Sequence, residues 1–177
     1  MYQKIKNRSG LTLIELLIAM LLFSAIIGAA ILMLSTGLKI WNSNNNRTNI
    51  RQNGSLAMET ITRYLEQANN ITAASASSIT FSADVNNDGT DDIITIAFAA
   101  ANKRINITIA GATSILAPDV QNFSLLYYQS NTQTSFIPAI QADRDGIRIV
   151  TISLTMSKGN DTVTLSSSAF CRNQGVA

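Results

Sequence analysis

The spacing of apolar and polar residues changes twice along the chain. Residues 10–34 are mostly apolar, and Glu15 is the only charged side chain among them. An apolar helix of this length can cross a bilayer core of roughly 30 Å. Lys39 and Trp41 follow, where the helix should leave the bilayer on its outer face. Cations and amphipathic rings favour this interface with water. The pattern predicts a transmembrane helix over residues 11–41.

Helical spacing of apolar residues returns beyond an asparagine-rich run at residues 42–46. Asparagine disfavours helix interiors, so we expect a local weakening or kink in that run. One stripe, with members three or four residues apart, contains Ala57, Ile61, Tyr64 or Leu65, and Ala68. Such a stripe is typical of an amphipathic helix that packs one face on a core, so we predict a helical extension over residues 42–70.

Apolar and polar residues alternate from residue 79 onward, and a period of two is that of a β-strand. Strands are predicted at residues 79–81, 93–98, 105–109, 120–128, 150–156 and 163–165. The turn at residues 157–161 contains Gly159, which tolerates the positive φ of a tight hairpin. We therefore predict an α+β fold with one core, in which a long N-terminal helix packs on an antiparallel β-sheet domain over residues 71–177.

The residues before the apolar run predict its orientation. Lys4, Lys6 and Arg8 precede it, so the positive-inside bias places residues 1–9 in the cytoplasm and the C-terminal domain across the membrane. A secretory signal peptide has a shorter apolar region that ends in a small-residue cleavage site. Here the small residue, Gly10, comes before the apolar run, so the segment does not fit a secretory signal peptide.

This arrangement resembles the class III leader of type IV pilins and of the pseudopilins of type II secretion. The resemblance rests on the short basic leader, on Gly10, on residues 12–17 (Thr-Leu-Ile-Glu-Leu-Leu) and on the long apolar helix. It implies that residues 1–10 are a leader, that a prepilin peptidase cleaves between Gly10 and Leu11, and that the new amino terminus at Leu11 is methylated. The family usually begins its mature chain with Phe, whereas this chain would begin with Leu11.

Glu15 is the candidate assembly residue. A carboxylate inside a bilayer is costly unless it is paired, so an intramembrane Glu is a functional-site hypothesis by default. Cleavage after Gly10 would create an amine at Leu11, and in a helical filament Glu15 of one subunit can meet the amino terminus of its neighbour. The alternative is an uncleaved anchor in which Glu15 lies in the headgroup zone.

A weaker resemblance extends over the rest of the chain. Segments similar to those of J-type minor pseudopilins and PilW-like minor pilins are residues 63–68, 79–98, 116–128 and 147–154, with Arg172 and Asn173 near the end. The resemblance implies a minor subunit that primes filament assembly beside other minor pilins or pseudopilins in the bacterial inner membrane, with its C-terminal domain in the periplasm. The alternative function is a filament-tip binding module for adhesion or DNA uptake.

The loop at residues 84–92 is the candidate ligand site. Its Asp-x-Asn-x-Asp-Gly opening resembles the start of a calcium loop, which uses alternating oxygen ligands and a glycine at its sharp turn. The twelfth position would need a bidentate Glu and is Thr95. The candidate calcium ligands are Asp84, Asn86, Asp88, Asp91 and Asp92. The alternative is a hairpin turn built on Asn87, Asp88 and Gly89 without a metal.

Composition argues against an enzyme and against a polyanionic partner. The chain has no histidine, which excludes Ser-His-Asp and Cys-His nucleophilic sites and histidine-ligated zinc. The formal net charge is +2, and removal of residues 1–10 would take away three cations and leave −1, so no nucleic-acid partner is expected. The single cysteine, Cys171, cannot form an intrachain disulfide, and we expect it to be buried.

Overall fold

The computed structural model describes residues 12–129 and 134–171, and it begins with a helix of 54 residues. This helix, α1, spans Leu13–Glu66. The chain divides into two compact units, Met1–Asn42 and Ser43–Ala177, so α1 contributes residues to both. We call residues 13–42 of α1 the anchor segment and residues 43–66 the docked segment.

The anchor segment exposes its apolar side chains. Its most apolar window has a mean hydropathy of 2.8, and none of that window is buried by the protein. Leu13, Met33 and Leu32 are among the most exposed large apolar residues, at 78%, 77% and 69%. In the described part of the chain it is the one helix that is long and apolar enough to cross a membrane.

The docked segment buries one stripe against the β domain. Its buried positions are Ile50, Gly54, Ala57, Met58, Ile61 and Leu65. The predicted stripe is confirmed, with Leu65 buried and Tyr64 only partly buried beside it. Gly54 marks the closest approach, because a Cβ built there would lie 2.5 Å from Cδ1 of Leu165 and 2.9 Å from Sδ of Met156.

The asparagine-rich run lies inside α1. The helix continues through residues 42–46 without an interruption, so the weakening expected there does not take the form of a break. Ser43 and Asn46, one turn apart, are half-buried, and the Ser43 hydroxyl donates to the Asp161 carboxylate on the β domain. The helix propensity of the run does not predict tertiary contacts of this kind.

Within the residues that the structure describes, eight strands form two antiparallel sheets. The five-stranded sheet, in the order β1 to β5, contains β1 Asn70–Ala74, β2 Ser78–Ala83, β3 Asp92–Ala99, β4 Arg104–Ile109 and β5 Ala112–Ala117. The three-stranded sheet, in the order β6 to β8, contains β6 Val120–Gln129, β7 Ile147–Lys158 and β8 Asp161–Phe170. The helix α2 spans Gln141–Asp145, and a 3₁₀ turn spans Ala100–Asn102.

The six predicted strands are confirmed, but the sequence missed β1 and β5 and the division into two sheets. β1 buries only Ile71, and β5 buries only its last residue, Ala117. Neither strand shows the regular alternation by which the others were recognised. The turn at Gly159 has the expected positive φ, +62°.

One hydrophobic cluster joins the docked segment to both sheets. Tyr127 is buried in this core and donates its hydroxyl to the Ser75 carbonyl at 2.7 Å, and burial raises the pKa of that phenol. Cys171 is also buried, as expected, and burial raises the pKa of its thiol to about 12. The prediction of an α+β fold with a long N-terminal helix on antiparallel sheet is therefore confirmed.

Candidate functional site

The amino-terminal end of α1 is closed by a reciprocal pair of hydrogen bonds between Thr12 and Glu15. The Thr12 backbone amide and hydroxyl donate to Oε2 of Glu15 at 2.8 and 2.9 Å, and the Glu15 amide donates to the Thr12 hydroxyl at 3.4 Å. This is a capping box, which satisfies two amides that a helix start leaves without partners. Sequence reasoning missed the role of Thr12, although the Thr-x-x-Glu spacing is the signal for it.

The capping box leaves the Glu15 carboxylate with spare acceptor capacity. Oε2 takes both hydrogen bonds from Thr12, and within the described residues Oε1 accepts none. A charged carboxylate with an open oxygen can accept a further hydrogen bond from an ammonium group. Gly10 and Leu11, the predicted cleavage and methylation positions, lie outside the described residues.

Small residues on the anchor segment leave room for another helix. Gly28 and Gly37 have no atom within 4 Å of the position that a Cβ would take. Trp41, near the end of the segment, is 62% exposed. Small residues on an apolar helix permit close approach of a second helix in a membrane.

The loop at residues 84–92 joins β2 to β3 and is held by hydrogen bonds within the loop. Both oxygens of Asp84 accept backbone amides, from Asp88 at 3.2 Å and from Gly89 at 2.9 Å. Asp88 accepts the hydroxyl and the amide of Thr90, and these hydrogen bonds, with one from Asn86, hold the pKa of its carboxyl below the usual value.

Asp91 and Asp92, two of the five candidate calcium ligands, lie at the end of the loop where β3 begins. The Asp91 carboxylate accepts from Asn69 at 2.7 Å and from Ser82 at 3.0 Å, away from the Asp84–Asp88 turn. Asp92 begins β3 and pairs with Ala83. Within residues 12–129 and 134–171, no group of three or more His, Cys, Asp or Glu side chains is arranged to hold a metal. Calcium binding by this loop and the metal-free hairpin turn both stay predictions.

Two positions in this loop have positive φ values. Asn87 has φ of +61° and Gly89 has φ of +83°. Asparagine and glycine are the residues that adopt this conformation at least cost. A calcium loop also places a glycine at its sharp turn, so these φ values are expected under both interpretations.

Comparison with known families identifies one motif. Residues 5–31 match the prokaryotic N-terminal methylation motif. The matched segment includes Gly10, Leu11, Thr12 and Glu15 and ends within the anchor segment. No curated protein and no solved structure matches the chain.

Proposed function

Since the N-terminal methylation motif and its prepilin-type leader make this chain a type IV pilin-like or pseudopilin-like protein, we propose that it is a minor subunit that primes assembly of a pilus or pseudopilus. The leader implies processing by prepilin peptidase and assembly with other pilins. The exposed apolar helix behind it indicates a membrane-anchored protein. In this proposal the chain resides in the bacterial inner membrane, with residues 1–9 cytoplasmic and the β domain periplasmic.

The proposal rests on the different exposure of apolar side chains in the anchor segment and in the β domain. Apolar side chains of the anchor segment are exposed by up to 78%, whereas core residues of the β domain such as Ile94 and Leu154 are fully buried. In water such a surface would be strongly unfavourable, at roughly 25 cal/mol for each Å². It therefore requires lipid or other apolar helices, and a filament subunit uses both in turn.

Glu15 supplies the pairing chemistry in this proposal. Before assembly, the capping box with Thr12 partly satisfies the carboxylate inside the membrane. After cleavage at Gly10, the amine at Leu11 of a neighbouring subunit can pair with the open Oε1. An ammonium–carboxylate hydrogen bond is about twice as strong as a neutral one and gains further where water is excluded. Pairing would fix the axial register of neighbouring helices.

The same proposal assigns the β domain a structural role and no catalysis. The chain has no histidine, and the carboxylates of the 84–92 loop are engaged by turn and strand donors. The partners in this proposal are prepilin peptidase, other minor pilins or pseudopilins that contact the anchor segment, and membrane lipid.

The decisive experiment is the intact mass of the full chain recovered from its native membranes. We expect the loss of residues 1–10 and the gain of one methyl group. Gly10→Val should leave the full-length mass, because a bulky side chain replaces glycine at the cleaved bond, and Ser9→Ala is the matched control that should be processed normally. A full-length, unmethylated mass in the unmodified chain would refute the proposal.

The pairing role of Glu15 is tested by Glu15→Gln, which keeps size and hydrogen bonding but removes the charge. We expect cleavage to proceed and recovery of the subunit in sheared filaments to fall at least about tenfold, as expected for the loss of a charge-assisted hydrogen bond. Thr12→Val is the companion variant, because it removes the hydroxyl contact and keeps the charge. Normal incorporation of Glu15→Gln would contradict the pairing role.

A further inference from the structure

The first turns of the docked segment are held in a helix by few interactions. Between Asn42 and Ile50 no residue is buried. Residues 42–46 read Asn-Ser-Asn-Asn-Asn, and asparagine and serine have lower intrinsic helix propensity than alanine because their side chains compete for the backbone. The boundary between the two compact units falls in the same run, after Asn42. A helix of this composition requires support from outside itself.

That support comes from the tight turn between β7 and β8. The Ser43 hydroxyl lies 3.0 and 2.9 Å from the two carboxylate oxygens of Asp161. One turn later, Nδ2 of Asn46 is 3.4 Å from the position of a Cβ at Gly159. Among the described residues, the Ser43–Asp161 pair provides the side-chain hydrogen bonds that join residues 43–49 to the β domain.

The turn that carries Asp161 is well fixed. Lys158 pairs with Asp161, and the β7–β8 register runs from there to Ile149 and Phe170 without a bulge. Gly159 has φ of +62°, and a Cβ there would lie in van der Waals contact with Asn46. The carboxylate therefore lies at the end of a regularly paired hairpin, facing α1.

We propose that Ser43 and Asp161 form a latch that keeps residues 43–49 helical, and that these residues unwind into a joint when the latch opens. The latch does not depend on leader processing, so this inference goes beyond the proposed function. Opening would expose no fully buried side chain, because the buried stripe of the docked segment begins only at Ile50. The joint would allow the anchor segment and the β domain to reorient without unfolding either.

Hydrogen exchange of the full chain in detergent micelles tests the latch. Ser43→Ala and Asn45→Ala both raise helix propensity, but Ser43 belongs to the latch and Asn45 is exposed. If the latch holds the segment, Ser43→Ala should speed exchange of the amides of residues 44–49 about tenfold, the size expected for losing a hydrogen bond to a charged group. Asn45→Ala should slow it.

Asp161 is tested from the other side. Asp161→Ala should speed exchange of residues 44–49 as Ser43→Ala does, Asp161→Asn should give a smaller effect because its amide oxygen still accepts, and the double variant should be no faster than either single one. Exchange in β7 should stay unchanged in all of them, which separates the latch from general destabilisation. Slower exchange in Ser43→Ala, or unchanged exchange in Asp161→Ala with β7 intact, would overturn the proposal.

Discussion

The anchor and docked segments of α1 belong to one continuous helix but are stabilised in different ways. The anchor segment buries nothing within the protein, and its apolar residues surround the helix. The docked segment buries a single stripe, and its charged residues lie elsewhere on the surface. A helix that is apolar on all sides depends on apolar surroundings, whereas an amphipathic one depends on the surface it packs against.

The same side chain therefore has a different role in each segment. In the proposed function, an exposed isoleucine in the anchor segment contacts lipid or another helix, and we expect its removal to leave the β domain unaffected. A buried isoleucine in the docked segment is part of the domain core. Equivalent substitutions in the two segments should therefore have different effects on domain stability, and the first two predictions use that difference.

The largest effect is expected from Ile61→Ala in the docked segment. Ile61 is fully buried, and removing its side chain should lower the unfolding free energy of the domain by about 2–5 kcal/mol because a cavity remains. Ile31→Ala in the anchor segment, where the residue is 61% exposed, should leave that free energy unchanged. Urea unfolding of the full chain in detergent micelles, followed by the circular dichroism of the sheets, measures both. Equal losses of unfolding free energy in the two variants would show that both segments contribute to the domain core.

The two glycines Gly54 and Gly28 provide the second prediction. Gly54→Val should cost about 1–3 kcal/mol through overpacking, since its Cβ would lie within 3 Å of Leu165 and Met156. Gly28→Val meets no atom within 4 Å and should not lower domain stability in the same assay. A tolerated Gly54→Val with an intact core would show that the sheet side chains move aside, and would weaken the claim of close packing.

Strong periodic signals explain what the sequence could predict. The uninterrupted apolar run predicted the anchor segment, the three- and four-residue spacing predicted the buried stripe, and the alternation in β7 predicted its inward face of Val150, Ile152, Leu154 and Met156. Each of these patterns reflects a local geometry that repeats along the element. For the candidate site, the spacing of Gly10 and Glu15 predicted the motif that residues 5–31 match.

The features that the sequence missed depend on contacts between distant residues. Ser43 and Asp161 are 118 positions apart, and nothing near either one shows that they form a hydrogen bond. The weak strand β1 is short and bulged after Ile71, and it gains its order from pairing with β2. The loop at residues 84–92 has the composition of a calcium site, but Asp91 is engaged by Asn69 and Ser82. Local composition does not determine these partnerships.

The third prediction concerns pH and the buried Cys171. Burial raises the pKa of its thiol to about 12 in the folded domain, with Arg148 opposing and Glu66 adding to the rise, whereas an unfolded thiol has an ordinary pKa near 9. The neutral thiol is therefore favoured by folding. Stability from this group is complete below pH 9 and is lost as the pH rises toward 12, by about 1 kcal/mol at pH 10.

The measurement for Cys171 is the unfolding free energy of the full chain at pH 8 and pH 10. Cys171→Ala should be less stable at both values because it leaves a small cavity, but it should lose less stability between them than the unmodified chain. The thiol should also resist alkylation in the folded chain, whereas Leu56→Cys, at a position 63% exposed on the docked segment, should react readily. Equal pH dependence in both chains would refute the prediction that the raised pKa of Cys171 makes stability depend on pH.

The smallest effects are expected from substitutions in the β2–β3 loop. Asp84→Ala removes two hydrogen bonds to backbone amides and should cost about 1 kcal/mol, because the loop is exposed and water replaces part of the loss. Calcium at millimolar concentration should not shift the thermal unfolding of the unmodified chain or of the variant. Stabilisation by calcium that Asp84→Ala abolishes would mean that the carboxylates rearrange around an ion. The β domain would then also be stabilised by something outside the protein. The anchor segment and the docked segment would differ only in how strongly they depend on their surroundings.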